Sequence, residues 1–165
     1  MNAAYLQTFP PVSFLDRGIS DEAREVRRLR DDIQKSDNSF YSVKKQAQIV
    51  QGLSGAYKDA STDNWDGYQA FKAEPSALPY AFEFLNLLPL STPFPEIAID
   101  NYGEIAIEWD YGSRKVISIR VGKDGTLTFA ALDGYNSVHG VETLQDAIPE
   151  TIALWMDRVT TSDAA

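Results

Sequence analysis

Cysteine is absent from this chain of 165 residues, and histidine occurs once, at position 139. Without thiols the protein forms neither disulfides nor thiolate metal sites, and one imidazole is too few for a zinc site. A histidine-activated nucleophile would have to pair His139 with Ser137, but no Gly-x-Ser-x-Gly elbow is present. These absences argue against triad hydrolysis and zinc chemistry.

Long apolar runs are also missing, since none approaches the roughly 18 residues of a membrane span. The N-terminus lacks the basic start of a signal peptide and contains Pro10-Pro11. A cytoplasmic protein is the expectation. No cofactor is expected, because Gly122–Gly125 has the pattern of a turn and not of a phosphate-binding loop.

Basic residues are scarce in the second part of the chain. Residues 1–62 hold 9 Lys+Arg and 8 Asp+Glu, a net of +1, whereas residues 63–165 hold 6 and 16, a net of −10, in agreement with the total of −9. An acidic surface repels nucleic acid and attracts basic protein partners. The alternative is that the charge only maintains solubility.

The first part of the chain has a helical pattern after an apolar arm. Residues 1–18 are too apolar for a free tail, so we expect this arm to dock on the body or on a second subunit. Two amphipathic helices, roughly 20–35 and 40–57, are separated by a polar break at 36–39. The pattern predicts a helical hairpin within an N-terminal unit of residues 1–62, and a core domain of residues 63–165.

The core domain begins with a turn segment that contains Trp65 and Tyr68. We expect both aromatics to anchor the turn in the core; the alternative is an exposed aromatic binding site. A central helix, apolar nearly all round and therefore buried, is predicted from Ser76, as its N-cap, to Leu88. Pro149 suits the first turn of a C-terminal helix.

Between these helices, apolar and polar residues alternate as they do in half-buried strands. Residues 132–141 have two glycines and many polar groups, which predicts a loop. The pattern indicates a four-stranded antiparallel meander with one buried face. Its strands are predicted at Glu96–Asp100, Gly103–Asp110, Lys115–Val121 and Thr126–Leu132.

The second strand is the most informative for function. Its inward positions are apolar, and Glu104, Glu108 and Asp110 project from the other face. These acids either bind a basic partner, hold a divalent cation or contact only solvent. Arg120 on the next strand is expected to pair with Glu104 or Glu108 across the sheet.

Residues 64–158 contain, in this order, the motifs Asn64-Trp65-Asp66-Gly67-Tyr68, Gly103-Glu104-Ile105, Glu108-Trp109, Asp124-Gly125 and Ile148-Pro149-Glu150. In these motifs the chain resembles a set of small uncharacterised bacterial proteins that are often found on mobile or phage-derived DNA. The resemblance implies no catalytic residues, because that set has no established activity to transfer.

The sequence therefore predicts an α+β fold in which the meander packs on the central and C-terminal helices. The leading functional hypothesis is a non-enzymatic, acidic protein-binding module of the inhibitor, antitoxin or immunity type. Its partner-binding residues would be Glu104, Glu108, Asp110, Trp65 and Tyr68. The alternatives are a divalent-metal-dependent hydrolase or nuclease that uses the acidic strand face, and a structural homo-oligomer joined through the N-terminal arm.

Overall fold

A computed structural model describes residues 21–112 and 114–161. These residues form an α+β fold with an antiparallel sheet. Among the described helices, none is both long enough and apolar enough to cross a membrane. The elements in chain order are α1 (Asp21–Asp59), a 3-10 turn (Pro75–Ala77), α2 (Leu78–Leu87), β1 (Glu96–Ile99), β2 (Ile105–Asp110), β3 (Lys115–Val121), β4 (Thr126–Asp133), β5 (Asn136–Thr143) and α3 (Glu150–Thr160).

The chain divides into two units, Met1–Phe40 and Tyr41–Ala165. Within the second unit, Ile49 and Leu53 of α1 are buried and belong to the same apolar cluster as the sheet. The last part of α1 therefore contributes side chains to the core, and the predicted boundary after residue 62 stays a prediction.

The predicted helical hairpin is wrong, since α1 runs without interruption from Asp21 to Asp59. The expected break, Ser36-Asp37-Asn38-Ser39, contains neither glycine nor proline. Polar residues of this kind cost only about 0.5 kcal/mol each relative to alanine in a helix. That cost is too small to stop a helix that has favourable turns on both sides.

The five strands pair in the order of the chain, each antiparallel to the next. The predicted antiparallel sheet with a buried face is confirmed, but the number of strands is corrected from four to five. The predicted loop at 132–141 instead completes β4 and forms most of β5. Gly140 pairs with Phe129 on β4, and a Cβ at Gly140 would lie 2.9 Å from the Phe129 ring. The glycine that suggested a loop is therefore required for close packing within the sheet.

The central helix begins differently from the prediction. The Glu74 carboxylate, and not Ser76, caps the first turn: Oε1 accepts hydrogen bonds from Ser76 N (3.1 Å) and Oγ (2.6 Å). Helix α2 follows and buries Phe84 and Leu85, while Phe82 remains exposed. The helix is thus one-sided and not buried all round.

Helix α3 agrees with its prediction, since it follows Pro149 directly and buries Ile152, Met156 and Val159. It packs against β3 and β4 on the buried face of the sheet. The other face of the sheet carries the side chains in which a function was expected.

Candidate functional site

Strand β2 divides its side chains between the two faces of the sheet as predicted. Ile105, Ile107 and Trp109 are buried, and the Trp109 indole N–H donates to the Pro93 carbonyl at 2.7 Å. The intervening residues alternate with them and lie on the outer face, where Glu108 is partly exposed and Asp110 is exposed.

Glu104 belongs to a small ionic cluster at the start of β2. Arg120 Nη1 lies 3.4 Å from Asp100 Oδ2 and 3.9 Å from Glu104 Oε2. Asp100 Oδ1 also accepts the backbone N–H groups of Tyr102 (2.8 Å) and Glu104 (2.9 Å). The predicted pairing of Arg120 with Glu104 is confirmed, and much of the charge at this point is compensated within the molecule.

The other two acids of this face differ from each other. Asp110 Oδ1 accepts the Gly112 N–H at 2.7 Å and so stabilises the turn after β2. Glu108 lies in register with Glu96 on one side and Ser118 on the other. Two like charges at directly opposed positions destabilise a sheet. The pair Glu96 and Glu108 is therefore the part of the acidic face that the fold does not explain.

Glu108, Ser118, Ser137 and His139 border one shallow depression of about 350 Å³ on the outer face. Glu108 is on β2 and His139 on β5, three interstrand spacings or roughly 14 Å apart. This separation is too large for a proton relay between their side chains. Within residues 21–112 and 114–161, no three His, Asp or Glu side chains form a group that could hold a metal ion.

The Asn-Trp-Asp-Gly-Tyr motif forms a tight loop after α1. Asp66 Oδ1 accepts the N–H groups of Tyr68 (2.7 Å) and Ala70 (3.1 Å), and Asn64 Oδ1 accepts that of Gln69 (2.8 Å). Gly67 has a φ of +79°, which favours glycine. These hydrogen bonds show that much of the motif specifies the shape of the loop.

The two aromatics of the motif do not share one role. Trp65 is 37% exposed, and its indole N–H donates to the Phe71 carbonyl at 3.1 Å, so it helps to close the loop. Tyr68 is 89% exposed. Neither side chain belongs to the apolar core, so the expectation that both residues anchor the turn in the core is wrong, and exposure is the alternative that the structure bears out.

Backbone hydrogen bonds join this loop to the turn between β1 and β2. Phe71 N–H donates to the Asn101 carbonyl at 3.0 Å, and Glu74 N–H to that of Gly103 at 2.9 Å. The connection brings Phe71 (60% exposed) and Tyr102 (64% exposed) to the end of the domain that carries Tyr68. We call Tyr68, Phe71 and Tyr102 the aromatic patch.

Sequence reasoning identified Tyr68 and missed the other two members of the patch. Tyr102 could have been identified, since it is an aromatic residue between the first two predicted strands, Glu96–Asp100 and Gly103–Asp110. Phe71 could not have been identified from the sequence, because an apolar residue soon after a loop is more often buried in the core than exposed.

No protein-family model, curated protein or solved structure matches this chain at a meaningful level. The resemblance described above stays a prediction.

Proposed function

We propose that this protein is a non-enzymatic binding module for a basic protein, with the aromatic patch as the main contact. In keeping with the resemblance, we further propose an inhibitor, antitoxin or immunity role in a bacterial or phage conflict system. The single observation that carries the proposal is the concentration of three exposed aromatic side chains on loops that are held in place by hydrogen bonds.

Exposed aromatic residues on ordered loops are typical of binding surfaces. Tyrosine presents a large, rigid contact area and loses little conformational entropy on binding, so it is common among the residues that dominate binding energy. Tyr68 and Tyr102 each follow an aspartate that already accepts their backbone N–H. The turns are therefore formed before a partner arrives, which lowers the entropic cost of association.

Charge supports a basic partner. Residues 63–165 carry a net charge of −10. Glu96 and Glu108 lie directly opposed on the outer face of the sheet, and no basic side chain in the described part of the chain forms an ion pair with either of them. A lysine or arginine from a partner would relieve this repulsion. A different basic side chain of the partner could stack on a tyrosine of the aromatic patch through a cation–π contact.

The metal-dependent alternative has no comparable support in the geometry. Of its three proposed ligands, Glu104 faces Arg120 and Asp110 caps a turn. The remaining acid, Glu108, has a second carboxylate opposite it in Glu96 but no third acidic group beside them among the described residues.

The test compares affinity capture by three forms of the full chain from an extract of the native host. The wild type and Tyr135→Ala should retain the same basic protein, and Tyr68→Ala/Tyr102→Ala should lose it. Tyr135 is the matched control because it is 96% exposed in the turn between β4 and β5. Both variants remove only exposed side chains, so their thermal unfolding should remain near that of the wild type.

The captured protein is then titrated calorimetrically. Losing two aromatic contacts should weaken binding by at least about 30-fold, the size expected for residues that dominate an interface. Glu96→Gln/Glu108→Gln should mainly slow association and reduce its dependence on salt. Capture that is identical for the wild type and the Tyr68→Ala/Tyr102→Ala form would refute the aromatic patch as the contact.

A further inference from the structure

Strand β5 ends the sheet on one side, and no other strand in the described part of the chain pairs with its outer edge. It contains eight residues, and its register with β4 continues one to one from Asn136 to Thr143, so the edge has no bulge. It contains neither proline nor lysine. Bulges, prolines and lysines commonly protect an edge strand from pairing with another chain. The free edge of β5 is therefore long, regular and open to a further strand.

The opposite edge of the sheet is protected. Strand β1 has only four residues, and it follows Pro93 and Pro95. Helix α1 lies beside it, because a Cβ at Gly52 would lie 2.9 Å from the Ile97 side chain. A short strand beside a helix offers little backbone to a partner. The contrast identifies β5 as the edge at which a further strand can pair.

The turn before β5 shows which of its backbone groups point outward. A two-residue turn, with a φ of +63° at Gly134, joins the paired residues Asp133 and Asn136. In such a hairpin the residues that flank the turn exchange hydrogen bonds, and bonded pairs then alternate along the strands. Leu144 fits this alternation, since its N–H donates to the Gly125 carbonyl at 2.9 Å. The residues whose N–H and C=O groups point away from β4 are therefore Ser137, His139, Val141 and Thr143.

We propose that the free edge of β5 accepts an extended basic segment of the partner as a sixth strand of the sheet. That the segment is basic rests on the proposed function, whereas the place and mode of binding rest on the edge itself. Main-chain hydrogen bonds to the outward groups of β5 supply affinity, and neighbouring side chains supply specificity. Val141, which is 65% exposed, contacts a side chain of the added strand on the outer face.

Charge favours a basic segment over a second copy of the chain. The segment from Asp133 to Glu150 contains four carboxylates and neither lysine nor arginine. Asp133 pairs with Arg158 at 2.9 Å. The others, Glu142, Asp146 and Glu150, form no ion pair within the described residues, and they border a shallow depression of about 500 Å³ at the end of β5. A second copy would bring two such acidic segments together, whereas a lysine or arginine is attracted to this end of the edge.

The probe is a peptide of the same length as β5, in which valine and threonine alternate and lysines occupy one end. Its binding to the isotope-labelled full chain is followed by amide hydrogen exchange in nuclear magnetic resonance spectra. At saturation the peptide should slow exchange at least about tenfold at the four outward amides, whereas the amides between them are protected already by β4. The same peptide with methyl groups on the amide nitrogens that face β5 cannot form these hydrogen bonds and should not bind.

A proline in the edge tests the hydrogen bonds directly. Val141→Pro removes one outward N–H and leaves the ladder with β4 in place, and the preceding Gly140 has no Cβ to clash with the ring. The dissociation constant of the peptide should rise at least about tenfold. Val141→Thr is the matched control, because it keeps both the N–H and the β-branched shape, and it should bind as the wild type does.

The charge at the end of the edge is tested with a pair of double variants. Glu142→Gln/Asp146→Asn should weaken the lysine-containing peptide about fivefold at low salt, and less at high salt. Glu83→Gln/Asp157→Asn removes the same charge from exposed positions on α2 and α3 and should change binding little. Equal affinities of the two double variants would contradict a basic occupant.

The absence of peptide binding up to about 1 mM would overturn the strand addition. A wild type heavier in sedimentation than one chain of 18.4 kDa, but not so in Val141→Pro, would show that a second copy occupies the edge. Outward amides that exchange fast only after removal of residues 1–18 would identify the arm as the occupant. Tyr68→Ala/Tyr102→Ala should not affect peptide binding, so a failure of the aromatic patch is distinguishable from a failure of the free edge.

Discussion

Four aspartates in the second unit use one carboxylate oxygen to accept the backbone N–H of the residue two positions later. The distances lie between 2.7 and 3.1 Å, and the aspartates are Asp66, Asp100, Asp110 and Asp124. Such bonds shape turns and compete with regular structure. Several of the acidic residues that could have bound a partner therefore have a structural role in turns. Glu96 and Glu108 accept no such hydrogen bond, so they are the better candidates for contact with a basic partner.

Gly103 offers the clearest prediction for a single residue. Its φ is +82°, and a Cβ at this position would lie 2.4 Å from the carbonyl oxygen of Lys72. Gly103→Ala should lower the free energy of unfolding by at least about 3 kcal/mol, because backbone strain and a clash with a fixed carbonyl add together. Gly67→Ala is the matched control: its φ is +79°, but nothing lies within 4 Å of its Cβ, so a loss of about 1 kcal/mol is expected.

Urea unfolding followed by tryptophan fluorescence measures both losses. If the two alanine variants lost the same stability, the close approach of the 71–74 segment to the turn between β1 and β2 would be wrong. The aromatic patch would then lose its structural basis too, since that approach is what brings Phe71 and Tyr102 to the same end.

At the scale of elements, the hairpin of β3 and β4 contains a pH-sensitive turn. Hydrogen bonds from the hydroxyl and backbone N–H of Thr126 lower the pKa of Asp124 in the folded protein. A carboxyl whose folded pKa is lowered contributes stability above its unfolded pKa, near about 4. That contribution is lost as the pH falls through the lower folded value.

We therefore expect Asp124→Asn to flatten the dependence of the melting temperature on pH below about 4. The wild type should be the more stable of the two at neutral pH, and the difference should shrink with acid. Asp146→Asn removes an exposed carboxylate from the segment after β5 and should leave the shape of the profile unchanged. A constant gap between the wild type and Asp124→Asn across this pH range would contradict the assigned role.

The elements predicted correctly are those in which the spacing of apolar residues along the chain indicates which side chains are buried. Strands β2 and β3 alternate strictly, and α3 follows a proline and has one apolar side, so the sheet core was readable from residues alone. Two of the errors have a common origin, since serine, asparagine and glycine suggest breaks at 36–39 and 132–141. Local preference was overridden by helix continuation in α1 and by the fit of Gly140 to Phe129 in β5. Contact between distant loops, which creates the aromatic patch, leaves no trace in local periodicity.

For the whole molecule, the uneven charge determines how partner binding should respond to salt. The aromatic patch belongs to residues 63–165, which carry a net charge of −10. Salt should therefore weaken binding of a basic partner, because it screens the attraction between the opposite charges.

The last part of α1 is expected to be required for the core to fold. Two shortened chains test this, one that begins at Tyr41 and one that begins at Asp63. The shorter chain lacks Ile49 and Leu53, which are 0% and 6% exposed within the core. It also lacks Lys45, whose ammonium donates to the carbonyl oxygens of Asn86 and Leu88 at the end of α2.

Losing the two apolar side chains alone should cost about 3–6 kcal/mol, a large share of the roughly 5–15 kcal/mol that stabilises a domain. The chain from Tyr41 should thus unfold cooperatively in urea, and the chain from Asp63 should be largely unfolded in buffer. Equal stability of the two chains would show that α1 is dispensable for the core and would support the predicted boundary after residue 62.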